Sequence, residues 1–476
     1  MDRVTGDAAW AEALVAVVGP DRAEAAQAFA ATVPAGYRER VQPGDAAWDL
    51  DSIAMLESGV AGPGGPSRGA GVFLESQSKR GSTGGPHRIG VRPGSSSITG
   101  SFRLRRVASE PVELSELLPL MESFGLVVVE AFPQWIDPPA GSTRPWHIDD
   151  IGVRLPSSLS GPGPRFDPAA DGDRLLDALE AVADRAADID SLNRLVLVAG
   201  LGWRQVVVVR AYRRYLRQAG SRWSPTELDD ALAGYPLVTR ALDAYFSARF
   251  DPGGDRPATE ARAALLDVVG EVAHLQQDQI LRRFVGLIDA TVRTNVFTDP
   301  APFAPGRAVA IQLHSARVPG LAPPRPQVET FVHGPAVEGI HLRNGLIARG
   351  GLRWSDRPDD FRTEVLDLAQ AQVKKNAIIV PTGAKGGFVV RSQAIDAAGG
   401  SVTRAAVRAA YEAFVRSLLD ITDNVIGGHV VHPAGVIAES EDPYLVVAAD
   451  RGTATFSDVA NAISEQRSFW LGDAFA

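Results

Sequence analysis

Residues 349–390 read RGGLRWSDRPDDFRTEVLDLAQAQVKKNAIIVPTGAKGGFVV. The periodicity changes within this stretch. LRW is strand-like, TEVLDLAQAQVKKN carries apolar residues at helical spacing, NAIIVP is a short apolar run that reads as a strand, and FVV is a further strand. Strands separated by a helix predict an α/β layer with a largely parallel sheet. The pattern continues on both sides. Upstream, AVAIQLH, QVETFVHG and GIHLR are strand-like. Downstream, RAAVRAAYEAFVRSLLDIT is a long helix, YLVVAAD a strand and FSDVANAISEQ a helix. These elements delimit a C-terminal α/β domain over 306–476.

Further from this core, 161–305 is a helical region, with LNRLVLVAGLGWRQVVVVRAYRRYLRQAG and ILRRFVGLIDATVRTNVF both at helical spacing and with Gly220, Pro252 and Pro300 as punctuation. Residues 101–160 read as a small α/β unit: SFRLRRV and LVVVEAFPQWI as strands, ELSELLPLMESFG as an amphipathic helix, HIDDIGVRLP as another strand. Residues 1–100 begin as Ala-rich helices and pass into Gly-, Ser- and Pro-rich loops around a short GVFLES strand. Those loops contain neither a GxxxxGK[ST] nor a strand-GxGxxG-helix arrangement, so they do not predict a phosphate cradle.

The chain has 476 residues, a formal net charge of −9 and no cysteine. An acidic balance argues against a nucleic-acid partner bound through its phosphates. The absence of cysteine removes disulfides and thiolate chemistry and fits a reducing, cytoplasmic setting. No apolar run is long enough to span a bilayer, and the first residues lack a signal-peptide pattern. Lys and Arg total 48, yet only Lys79, Lys374, Lys375 and Lys385 are lysines. Three of the four fall between 374 and 385. Guanidinium stays protonated in proteins, whereas an amine in a desolvated site titrates near neutrality. The clustering therefore singles out this segment for chemistry that needs a tunable amine.

Three short stretches carry the candidate site. In Arg349-Gly350-Gly351-Leu352-Arg353-Trp354, paired glycines let a ligand approach backbone amides closely. In Gln372-Val373-Lys374-Lys375-Asn376, Gln372 and Lys375 share a helix face and Lys374 is rotated away. In Pro381-Thr382-Gly383-Ala384-Lys385-Gly386-Gly387-Phe388, Lys385 is expected in a loop at the C-terminal end of the strand AIIV, where α/β sheets bind ligands. Asp450 ends the strand YLVVAAD and is a candidate to exchange a proton with that amine. Cationic groups here suit a substrate with more than one carboxylate. No metal is expected. His147, Asp149 and Asp150 read as a strand-end polar cluster, and His429 and His432 as loop histidines.

RGGLRWSDRPDDFRTEVLDLAQAQVKKNAIIVPTGAKGGFVV, followed by DPYLVVAADRGTATFSDVAN, resembles the large bacterial NAD-specific glutamate dehydrogenases, and the resemblance extends through the helical region to the unit at 101–160. It implies oxidative deamination of L-glutamate to 2-oxoglutarate and ammonia, with hydride passed to NAD. It implies Lys385 as the catalytic lysine, Asp450 in proton transfer, Lys375 and Gln372 at the substrate α-carboxylate, and Gly350 and Gly351 as backbone receiving substrate. Arg349 stands where smaller enzymes of the superfamily have a lysine that grips the side-chain carboxylate. The unit at 101–160 is similar to the ACT-like amino-acid-sensing modules of this family, and a homo-oligomer is expected of the full-length enzyme. The family continues into a nucleotide-binding domain, so the expectation here is an internal fragment that cannot transfer hydride alone. Two other readings compete: a glutamate or 2-oxoglutarate sensor without catalysis, and an amino-acid dehydrogenase with another side-chain preference.

Overall fold

The computed structural model describes residues 7–58, 72–74, 87–93, 101–111, 113–138, 145–156, 166–375, 382–391 and 400–476. Lys79, most of the Gly-rich stretch and the expected strand AIIV lie outside the described residues, as do the side chains of Gln372, Lys374 and Lys375. The chain divides into two compact units, Met1–Asp184 with Ile189–Gly202, and Arg185–Asp188 with Trp203–Ala476.

In the first unit, α1 (Asp7–Val18), α2 (Ala23–Thr32), α3 (Ala35–Arg40) and α4 (Pro43–Ser58) precede a five-stranded antiparallel sheet. Its strands are β1 (Val72–Leu74), β2 (His87–Pro93), β3 (Ser101–Ala108), β4 (Val127–Ile136) and β5 (Trp146–Arg154), in the order β1-β2-β3-β5-β4. The sheet thus takes in two strands upstream of 101–160. Trp10, Phe29, Tyr37 and Trp48 of the helices form one core with Val107, Ile148 and Trp146 of the strands. Helix α5 (Leu114–Ser123) joins β3 to β4, and α6 (Pro168–Ala183), capped by Asp167, follows β5. The short α7 (Leu195–Val198) completes the unit.

The second unit opens with α8 (Trp203–Gln218), α9 (Pro225–Gly234), α10 (Pro236–Phe250), α11 (Ala258–Gly270) and α12 (Leu275–Ala290). The helical reading of ATVRTNVF is corrected: α12 stops at Ala290, and Thr291–Thr294 is strand β6. A segment rich in β-branched residues suits a strand, and pairing with β7 (Val309–His314) overrides the helical spacing.

A seven-stranded sheet follows, built from β6, β7, β8 (Val328–His333), β9 (Val337–Arg343), β10 (Ala348–Trp354), β11 (Thr382–Val390) and β14 (Val446–Ala449). Its order is β14-β10-β11-β9-β8-β7-β6. The expected parallel pairing is found at the β14-β10-β11 edge, and the pairs from β11 to β6 are antiparallel, so the sheet as a whole is mixed. Connection length is the reason. Helix α13 (Phe361–Lys375) spans the crossover from β10 to β11, whereas β8 meets β9 through a short turn that permits only antiparallel pairing. Leu352, Phe388 and Val447 point from one face into a core with α14 (Arg404–Asp420) and α15 (Ser457–Gln466). Helix α13 covers the other face, which carries the candidate site.

Residues 424–431 form a hairpin, which corrects the loop reading for His429; His432 follows the second strand in irregular structure, as expected. Strands β12 (Asn424–Ile426) and β13 (His429–Val431) are joined by Gly427 and Gly428, both at positive φ, as a tight two-residue turn requires.

Candidate functional site

Strand β10 lies between two parallel neighbours. Arg349 pairs in register with Gly383 of β11 and with Val446 of β14, and Gly351 with Ala448. Side chains alternate along a strand. Arg349, Gly351 and Arg353 therefore share one face with Lys385 of β11, and Asp450 follows β14 on that face. Lys385 reaches across β10 where Gly351 has no side chain, and its Nζ donates to Asp450 Oδ2 at 2.6 Å. Both side chains are only partly buried, at 19% and 14% exposure.

The acid is held from several sides. The backbone N–H of Arg451 donates to Asp450 Oδ1 at 2.6 Å, and Arg353 Nη2 lies 3.6 Å from the same oxygen. Thr453 Oγ1 accepts from the Asp450 N–H and donates to the Leu352 carbonyl, which fixes the turn after β14 to β10. Arg353 is itself oriented by Glu364 of α13 at 3.0 Å, and Ser355 Oγ donates to the other Glu364 oxygen at 2.6 Å. Partial burial acts to raise the Asp450 carboxyl. The Lys385 hydrogen bond, the Arg451 amide and the nearby positive charges outweigh it and hold Asp450 below the ordinary carboxylate value. An amine and a carboxylate in direct contact, accessible from one side, form a pair through which a proton can pass.

The glycines are needed for different reasons. A Cβ at Gly350 would lie 1.6 Å from the Ala384 carbonyl oxygen, so β10 and β11 approach as closely as they do only with glycine there. A Cβ at Gly351 would lie 3.0 Å from both the Asp450 Cβ and the Ala449 carbonyl oxygen, in the corridor that Lys385 uses. Gly386 and Gly387 are seats for Leu352 and Val365. None of these glycines forms a dinucleotide cradle; all four lie within strands against neighbouring atoms.

The sequence reading of TGAKGG as a loop is thus corrected: Lys385 sits inside β11, paired with Leu342 of β9. Arg349 is exposed on the same face, two residues before Gly351, and is in no ion pair with a described residue. Gln372 and Lys375 belong to the last turn of α13. Arg353 lies in a candidate stretch but had no assigned role, and Glu364 was not among the sequence candidates. The period of two from Arg349 through Gly351 was the available signal for Arg353; nothing local pointed to Glu364.

The HIDDIG carboxylates lie within β5 rather than at its end and serve arginines. Asp149 and Asp150 point to opposite faces of β5, Asp149 to Arg106 at 3.1 Å and Asp150 to Arg103 and Arg105 at 2.7 and 2.9 Å. His432 Nδ1 lies 2.8 Å from Asp423 Oδ1, and that carboxylate also holds Arg293. Among the described residues no group of three His, Cys, Asp or Glu is placed to hold a metal, and no helix is long and apolar enough to cross a membrane.

The fold and site define an α/β protein with a lysine–aspartate pair at the parallel edge of a mixed sheet, preceded by a helical region and a smaller α/β unit. Residues 264–476 match the family model of the bacterial NAD-glutamate dehydrogenase catalytic domain, 187–252 that of glutamate dehydrogenase helical motif 3, and 93–164 that of the glutamate dehydrogenase ACT3 domain. The NAD-specific glutamate dehydrogenase of Halomonas elongata is 39% identical over 459 residues, covering 94% of this chain and 26% of that protein. That of Mycobacterium tuberculosis is 39% identical over 490 residues, covering 98% and 28%. That of Pseudomonas aeruginosa is 42% identical over 377 residues, covering 78% and 23%. The chain belongs to the bacterial NAD-glutamate dehydrogenase family. It spans about a quarter of the length of these curated relatives.

Proposed function

We propose that the chain carries the substrate side of a cytoplasmic glutamate dehydrogenase, which converts L-glutamate to 2-oxoglutarate and ammonia with NAD as hydride acceptor. The observation that carries this reading is the 2.6 Å contact of Lys385 with Asp450 across Gly351. Lys385 assists the attack of water on the iminium carbon, and Asp450 exchanges protons with the amine and the reacting nitrogen. Asp450 is suited to this because it is kept ionised and fixed by the Arg451 amide. Arg349, exposed on the same face, offers a planar fork to the side-chain carboxylate of glutamate. Gly351 leaves the Lys385 face of β10 free of a side chain, Gly350 lets β10 lie close to β11, the backbone of this pair receives substrate, and Lys375 and Gln372 take the α-carboxylate. Arg353 is a positioning residue that orients Asp450 through its bond to Glu364.

The site glycines do not fit a dinucleotide, and the 476 residues alone are proposed to bind substrate without sustained hydride transfer. The small α/β unit is proposed to be regulatory, and the whole protein to be a homo-oligomer. The test is amine labelling at limiting reagent near neutral pH, mapped by mass spectrometry with and without 2-oxoglutarate. Selective protection of Lys385 by 2-oxoglutarate is expected. Equal labelling with and without it would overturn the reading.

A further inference from the structure

A second cationic site lies in the same unit, at the junction of α8, α9 and α12. Helix α8 ends on Gly220 at positive φ, with the Ser221 N–H returning to the Leu216 carbonyl. Helix α9 begins at once with the Ser224–Glu227 capping box. Arg222 and Trp223 are the residues between these two fixed ends. Arg283 of α12 approaches from the other side, so that the indole has the Arg222 guanidinium 4.7 Å from its ring centroid and that of Arg283 at 5.7 Å.

Among the described residues, neither guanidinium meets a carboxylate. Arg222 donates to the Gln279 amide oxygen and Arg283 to the Pro319 carbonyl. This contrasts with the neighbouring Arg282, which is paired with Asp278 at 2.7 Å. Gly320 leaves room for the Arg283 head; a Cβ there would lie 2.3 Å from Nη1. Burial and the nearby Arg222 charge both hold Arg283 below the ordinary guanidinium value. The groups line an open cleft with two adjoining lobes, about 200 and 380 Å³. The first continues past Leu216 and Leu321, so it offers an apolar floor beside the two cations. Two guanidiniums near each other without an acid, in a chain of net charge −9, leave the field of the cleft positive.

We propose that this cleft binds a small oxyanion ligand, a phosphate ester or a carboxylate, between Arg222 and Arg283, with its organic part on Trp223 and the apolar floor. Guanidinium forks match both oxyanions bidentately, and the cleft volume is that of a small-metabolite site rather than of a bare ion. The site uses none of the residues assigned to glutamate chemistry.

The test is calorimetric titration of the full chain with inorganic phosphate and, separately, with succinate, at matched ionic strength. Saturable binding of one or both is expected, weakened at least tenfold in Arg222→Gln and further in the Arg222→Gln, Arg283→Gln double variant. Binding of phosphate alone identifies a phosphate ester, and of succinate alone a carboxylate. Arg222 is exposed and, among the described residues, its hydrogen bond goes to Gln279 beside its stacking on Trp223, so its single variant keeps the test decisive if loss of Arg283 unfolds the 318–321 loop. No saturable binding, or binding unchanged in Arg222→Gln, overturns the proposal.

Discussion

Two sheets in this protein place a basic strand residue against aspartate, and they do so to opposite effect. In the first unit Arg105 of β3 bonds Asp49 of α4 at 2.6 Å and Asp150 of β5 at 2.9 Å, with the Tyr37 hydroxyl against the same Asp49. Arg105 and Asp49 are 3% and 0% exposed. Burial works against the Arg105 cation, but the Asp49 carboxylate outweighs it and keeps the group protonated. In the second unit the base is a lysine, the pair is open on one side, and the strand between the partners contributes a glycine. A sealed arginine network can only hold the fold together. An accessible lysine next to an ionised acid is able to move protons. The choice between Arg and Lys, in a chain that uses Arg almost everywhere, follows that division.

The comparison is sharpened most by removing each base. On the proposed function, Lys385→Ala, assayed together with a nucleotide-binding domain, is expected to lower kcat by about 10²- to 10⁴-fold, the range for a lost acid–base group. Its melting temperature should change little, because Asp450 keeps the Arg451 amide and Arg353; a kcat within a factor of three of the parent would break the distinction. Arg105→Leu is expected to do the reverse. It leaves Asp49 buried without its partner and should cost about 3–5 kcal/mol of stability, read from denaturant unfolding of the chain, while the expected protection of Lys385 by 2-oxoglutarate should be unchanged.

Next in size are the two glycines. Gly350→Ala drives a methyl into the Ala384 carbonyl and should destabilise the second unit by about 1–3 kcal/mol, as overpacking does. Gly351→Ala meets less resistance and should alter 2-oxoglutarate affinity more than stability; calorimetry on both variants separates them. The smallest effect concerns pH. Asp450 has a folded value below its unfolded one, so its contribution is fully present above an unfolded value of about 3.9 and is lost as pH falls through the folded value. Asp450→Asn should therefore flatten the stability–pH profile below about pH 4, and an unchanged slope there would contradict the depressed value.

Much of this was legible in the sequence. The period change across 349–390 gave β10 and α13, and the lysine clustering with the strand-terminal Asp450 led to both members of the pair. What escaped was set by distant contacts. TGAKGG reads as a loop because glycine is a poor strand former, yet Leu352 and Val365 occupy the space that side chains would fill. TVRT reads as helix until β7 is there to pair with it. Glu364 becomes part of the site only because α13 packs over β11 and β9 and brings its first turn within reach of Arg353 on β10. Arg349 was legible as a cation, and its place on the Lys385 face depends on a register that no local pattern encodes.

The glycine corridor makes the Lys385–Asp450 contact a gauge of strand alignment. The two residues are separated by two interstrand steps, each roughly 4.8 Å, and a slip of β14 by one residue would send Asp450 to the opposite face of the sheet. A zero-length amide cross-link between Lys385 and Asp450 can form only when all three strands are in their native alignment. Its yield would follow the assembly of this edge during folding, before any substrate is present.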